Sequence, residues 1–152
     1  MPATGSVLVL ADHEARAVEH HRVADTLFAI GEEWAAVAYF YASLHRAQAA
    51  LLTDPVFDNR GALQAKHNLL TERDRHCNKH QGFFRKPGVK VWGLNELVAL
   101  FYPKVGVSYV ALYRASIDVR YGLGLRRPSL GSLQADAERI HGEYAAGALK
   151  AS

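Results

Sequence analysis

The chain has 152 residues, 49% of them apolar and 22% charged, with a formal charge of +3. That size and balance predict one globular core rather than two. The longest apolar stretch, Trp34 to Leu44, is too short and interrupted to cross a bilayer, no signal-peptide pattern is seen, and the lone Cys77 excludes an internal disulfide and fits a reducing, cytoplasmic setting.

Residues 1–10 are small and apolar, with Pro2 and Gly5, and read as an N-terminal tail to a helical domain over 11–149. A first helix is expected to start near Ala11 to Glu14, capped by Asp12, with Val18, Val23, Ala24, Leu27 and Ile30 near helical spacing and Gly31 as its left-handed stop. The next helix, Glu33 to Leu52, carries Trp34, Val37, Tyr41, Leu44, Gln48 and Leu52 at intervals of three and four, widened by Phe40, Ala47 and Leu51. So broad an apolar arc belongs to a central helix, and Asp54-Pro55 stops it. A third helix is expected over Ala62 to His80.

The segment from Gln81 to Trp92, with Gly82, Pro87 and Gly88 among Phe83, Phe84, Arg85 and Lys86, reads as a long basic and aromatic connection. Leu94, Leu97, Val98 and Phe101 suit a short helix ended by Pro103. Further helices are expected over Val107 to Tyr121 and Ser132 to Leu149, joined by a turn from Gly122 to Pro128. Only Val7 to Leu10 and Val89 to Val91 look strand-like. The expectation is therefore an all-α, up-and-down bundle of four to five helices.

Charge is unevenly spread. From Arg60 to Lys90 eight basic residues face two acidic ones, a local charge of +6 that leaves the remainder at −3. Such a block suits an anionic partner such as RNA, with Lys79, Arg85, Lys86 and Lys90 as the candidate contacts, and equally suits a solvated surface.

Two strings carry a family resemblance. Trp34-x2-Val37-x2-Phe40-Tyr41-Ala42-x2-His45 and Tyr109-x3-Tyr113-x2-Ser116-x3-Arg120-Tyr121, in this order and separation, resemble the paired helix signatures of small HEPN-domain proteins over about residues 12 to 122. The resemblance implies a HEPN-like bundle that commonly dimerises and, in active branches, a metal-independent endoribonuclease with an Arg and a His separated by four to six variable residues at a helix end. Arg75-x4-His80 and Arg73-x6-His80 are the matching strings. A toxin or defence protein restrained by a nucleotidyltransferase-like antitoxin is one role this implies. A catalytically silent module that binds such a partner or forms a homodimer is the other.

On one continuous helix Arg73, His76 and His80 would share a stripe, whereas Arg75 would lie about 140° from His80. His80 is expected as general base or acid, Arg73 or Arg75 as phosphate stabiliser and His76 as helper, since imidazole titrates near neutrality and guanidinium matches phosphate. A polar helix end is the competing reading of these residues. His45, on the central stripe, is expected as a hydrogen-bonded core residue, and His20, His21 and His141 as surface residues. His76-x3-His80 has zinc-compatible spacing but lacks further ligands, and Gly122-Leu123-Gly124 is no phosphate fingerprint, so neither metal nor cofactor is expected.

Overall fold

The computed structural model describes residues 9–125 and 129–151. Helix α1 (Leu10–Ala29) and helix α2 (Ala35–Thr53) form an antiparallel pair. After a single 3-10 turn (Pro55–Asp58) come the short α3 (Arg60–Lys66), a second 3-10 turn (Glu72–His76) and a hairpin of β1 (Phe83–Lys86) and β2 (Val89–Val91). Helices α4 (Leu94–Phe101), α5 (Pro103–Tyr121) and α6 (Leu130–Ala145) complete a mostly helical architecture, in which α5 and α6 pack on α2 and on each other. Among the described residues no helix is long and apolar enough to cross a membrane.

Local chemistry sets most boundaries. Gly31 adopts φ +70°, and its N–H and that of Glu32 donate to Phe28 and Leu27, so α1 ends where a left-handed residue recovers its last carbonyls. Asp12 lies inside the first turn and accepts from Val9 N–H at 3.2 Å, rather than standing before the helix as expected. Asp54 ends α2, its Oδ1 accepting from Val56 N–H at 3.0 Å, and Asn59 and Ser129 cap α3 and α6 through side-chain oxygens. Pro103 does more than end α4. It occupies the first turn of α5, where its fixed φ and missing N–H cost nothing, so α5 starts four residues before the expected Val107. Of the expected N-terminal tail only residues 9 and 10 are described, and of the expected turn over 122–128, residues 126–128 lie outside the described residues.

Helix α2 is the spine, with fifteen of its nineteen residues buried. Seven are alanines, which let α1, α5 and α6 approach closely, while Tyr39, Phe40 and Leu51 fill the space between them. This covering comes from the same chain. Trp34 departs from the expected stripe: it precedes the first full turn of α2 and is 47% exposed. Val18 on α1 and Ile30 just past its end likewise face solvent.

The expected third helix fails beyond Lys66. His67 turns to φ −166°, ψ 136°, and the next residues dock on the core: Leu70 is buried, Trp92 Nε1 donates to the Leu69 carbonyl at 3.5 Å, and His67 meets the Trp92 ring edge-on. The expected stripe of Arg73, His76 and His80 therefore does not exist. In place of the expected connection from Gln81 to Trp92 stands the hairpin, antiparallel, with Phe84 opposite Lys90 and an irregularity between Phe84 and Lys86.

A stability comparison tests the position of the spine. Phe40→Ala is expected to cost about 3–5 kcal/mol in denaturant unfolding and Trp34→Ala about 1 kcal/mol or less, because only the first ring leaves a cavity. Equal costs for the two would place Trp34 in the core.

Candidate functional site

The expected arginines and His80 part company in space. Arg75 donates to Asp58 Oδ1 at 2.8 Å and to the Asp54 carbonyl at 3.4 Å, with its guanidinium over the Phe57 ring. It pins the second 3-10 turn to the first. Asp54 anchors the same corner, its buried Oδ2 accepting from Tyr102 OH at 2.9 Å and from Ala151 N–H at 2.8 Å. Arg73 and His76 are exposed on the second 3-10 turn.

His80 instead meets α2 and α5. Its ring contacts Phe40 and Tyr113, with centroids 5.6 and 5.7 Å apart, and its Nδ1 is buried without a protein partner. The backbone is fixed independently, since the His80 carbonyl accepts from Asn95 N–H at 3.1 Å and the Lys79 carbonyl from Leu94 N–H at 2.7 Å. Gln81 donates to Tyr113 OH at 3.3 Å. Seven residues, about two turns, separate Tyr113 from Arg120 and bring both to one side of α5. Arg120 NH1 donates to Tyr41 OH at 2.9 Å, and its guanidinium lies over the rings of Tyr41 and Tyr121. His20 of α1 closes the group, 5.8 Å from the Tyr41 ring.

The site thus joins imidazole, guanidinium and two phenols. Desolvation, reinforced by the Arg120 charge, lowers the His80 pKa below its usual 6.5, so the ring is neutral at pH 7 and able to accept a proton. Arg120 lies forty residues beyond His80, out of reach of spacing along one helix. The signal was nonetheless present, because Tyr41 belongs to one of the two family-like strings and Tyr113 and Arg120 to the other.

The hairpin extends from this site through Gln81 and Gly82. Phe83 and Phe84 are 50% and 59% exposed, and Arg85 and Lys86 are exposed with them. Lys79 is also exposed. Lys90 differs, pairing with Glu96 at 2.8 Å and lying over the Phe84 and Trp92 rings. Gly88 at φ +79° makes the tip. The base is a close crossing of Gly82 and Gly93, where a Cβ on Gly93 would collide with the Gln81 and Gly82 backbone.

The remaining histidines fall in two groups along α1 and the helices packed on it. His45 is buried as expected, with its Nδ1 3.0 Å from His13 Nδ1 and its ring stacked on His20. His21, expected at the surface, is half-buried: Arg46 NH1 donates to its Nδ1 at 2.8 Å, and its Nε2 donates to Glu138 at 2.9 Å. His141 is exposed but lies against it, 5.6 Å between ring centroids. His21, Asp25 and Glu138 bring possible ligand atoms within 4.8 Å of one another. Arg46, which can only donate, takes the Nδ1 lone pair and leaves the His21 proton on Nε2, the nitrogen a metal between Asp25 and Glu138 would need, while Asp25 accepts from Tyr39 OH at 2.6 Å.

Comparison with protein families, curated proteins and solved structures finds no match to this chain.

Gly93→Ala is expected to pry the hairpin from the α4 N-terminus at a cost of about 1–3 kcal/mol, as overpacking against backbone does. Hydrogen exchange that speeds up in residues 83–91 while α2 stays protected would register the release. Unchanged exchange there would show that the crossing does not hold the hairpin.

Proposed function

We propose that the chain is a HEPN-like, RNA-acting domain and a metal-independent endoribonuclease whose working pair is His80 and Arg120. The observation that carries this reading is the neutral, half-buried His80 within the electrostatic reach of Arg120, beside a basic hairpin with two exposed phenylalanines.

In this reading Arg85 and Lys86 hold the RNA backbone while Phe83 and Phe84 offer faces for unstacked bases. His80 removes the 2′-hydroxyl proton, the 2′-oxygen bonds to the adjacent phosphorus, and the bond from phosphorus to the 5′-oxygen breaks. Arg120 stabilises the charge gathered on the phosphoryl oxygens, and water protonates the leaving oxygen. The products are a 2′,3′-cyclic phosphate and a 5′-hydroxyl.

The second reading keeps a HEPN-like bundle but makes it a silent interaction module, binding a nucleotidyltransferase-like partner or a second copy. Arg75 favours it, because the arginine at family spacing is spent on Asp58 and Phe57.

Cleavage of single-stranded RNA in EDTA separates the two. His80→Ala and Arg120→Lys are expected to lower cleavage by about 10²-fold or more with little change in the melt. Activity should persist below pH 6.5 and fall only as His80 itself becomes protonated, because a general base works in its neutral form. The double substitution Arg85→Ala with Lys86→Ala should leave the chemistry intact but weaken binding and flatten its salt dependence, by about 0.7 in log–log slope per lost phosphate contact. Full activity in His80→Ala, or activity abolished by chelator, removes the endoribonuclease assignment. Binding that saturates without cleavage favours the silent module.

A further inference from the structure

Helix α1 adheres to the bundle through little apolar surface. Of its twenty residues only His13, Ala17 and Ala24 are buried, and the two alanines contribute one methyl group each. Adhesion falls on the partly buried Val23, Leu27 and Phe28 and on polar contacts. Two of these contacts restrict where protons can sit. His13 Nδ1 and His45 Nδ1 face each other at 3.0 Å within the seam. With one proton between them, one ring donates and the other accepts; with a proton on each, both are donors and the contact turns repulsive. The parallel His20 ring, 5.5 Å from His45, brings a third titratable group to the same place.

The next residue on each helix adds the second restriction. Arg46, buried on α2, donates to His21 Nδ1 on α1. Guanidinium has no acceptor, so an imidazolium at His21 breaks the bond and leaves a buried cation facing another.

We propose that these contacts make the α1–α2 seam an acid-released latch, closed while His13 and His45 share one proton and His21 accepts from Arg46. Protonation opens it, and α1 leaves the bundle, removing His20 from beside Tyr41.

The surrounding charges relieve the conflict only in part. On α1, Asp12 favours protonation of His13 and Glu19 that of His20, whereas Arg16 opposes both, and burial, acting with Arg16, outweighs the two carboxylates. On α2, Tyr41 and Arg46 flank the seam, and Arg120 of α5 reaches it only through Tyr41. Glu138 on α6 and Asp25 on α1 face His21 Nε2, at 2.9 and 3.8 Å, and offset part of the repulsion that an imidazolium there would meet from Arg46. His141 and Tyr144 of α6 lie on the same side. Burial lowers His13, His20 and His45, the last pushed down to about 4 by desolvation and then by His13 and His20. Because His13, His20 and His45 bind protons more readily once released, the closed form is fully favoured above 6.5 and loses stability as pH falls from there toward about 4.

Hydrogen exchange on the full chain tests this, with rates corrected for intrinsic exchange, at about pH 7.5 and about pH 4.5. Protection of α1 is expected to fall by about tenfold more than that of α5. Constant protection of α1, or loss of α1 and α5 together by one factor, overturns the latch. His13→Gln combined with His45→Gln keeps an amide hydrogen bond but no titration at that contact, and should reduce the pH-linked loss in α1 by half or more on a logarithmic scale. A folded double variant that retains the whole loss overturns the role of this pair. Should the variant not fold, the wild-type comparison decides alone.

Discussion

Helix α2 has almost no solvent face, and that constraint sets the arrangement around it. A helix buried on so many sides cannot be covered by one neighbour, so α1, α5 and α6 each take a flank. Its small residues permit close approach of the backbones, and its large rings key the flanks together. The polar residues of α2 then become decisive, because a buried donor or acceptor without a partner costs about 1–3 kcal/mol. Tyr39 finds Asp25 and Gln134, Tyr41 finds Arg120, His45 finds His13, and Arg46 finds His21. The partners on α1, α5 and α6 are thus placed by what α2 requires of them.

This division explains what could be read from the sequence. The central character of α2 was legible because Val37, Phe40, Leu44 and Leu51 repeat at helical spacing, and the stop at Gly31 because a left-handed turn suits glycine. Trp34 misled because spacing alone cannot tell the first turn of a stripe from the residue just before the helix. Residues 67–80 misled for a different reason. Helix propensity there is overridden by Trp92, which draws Leu69 and Leu70 into the core from more than twenty residues away. No local pattern records a docking partner so distant.

The candidate site was half legible on the same grounds. His80 stood out by its chemistry, but spacing along an assumed helix chose Arg73 and Arg75 to go with it. Once the helix ends at Lys66, that spacing carries no geometry, and Arg75 is drawn to Asp58. Arg120 reaches the site from forty residues downstream because α5 packs along α2. The basic hairpin shows a further limit. Its charges were evident in the sequence, yet Lys90 is turned inward to Glu96 while Arg85 and Lys86 are left outside, a difference set by strand pairing and by the Gly82–Gly93 crossing.

The sharing of α2 by its neighbours also links the histidine seam to the site. His13 meets His45, His45 stacks on His20, His20 lies against Tyr41, and Tyr41 accepts from Arg120. Each step is a direct contact, and the rings of His45 and Tyr41 project from one face of α2 a single turn apart. Arg120 is consequently oriented by a tyrosine whose other neighbour titrates. If α1 moves away, Tyr41 gains access to water on its α1 side and its hydroxyl can exchange Arg120 for solvent, which weakens the hold on the guanidinium without disturbing α5. Control of the site through α1 therefore requires no change in α2 itself, the one element the fold cannot rearrange without losing its core.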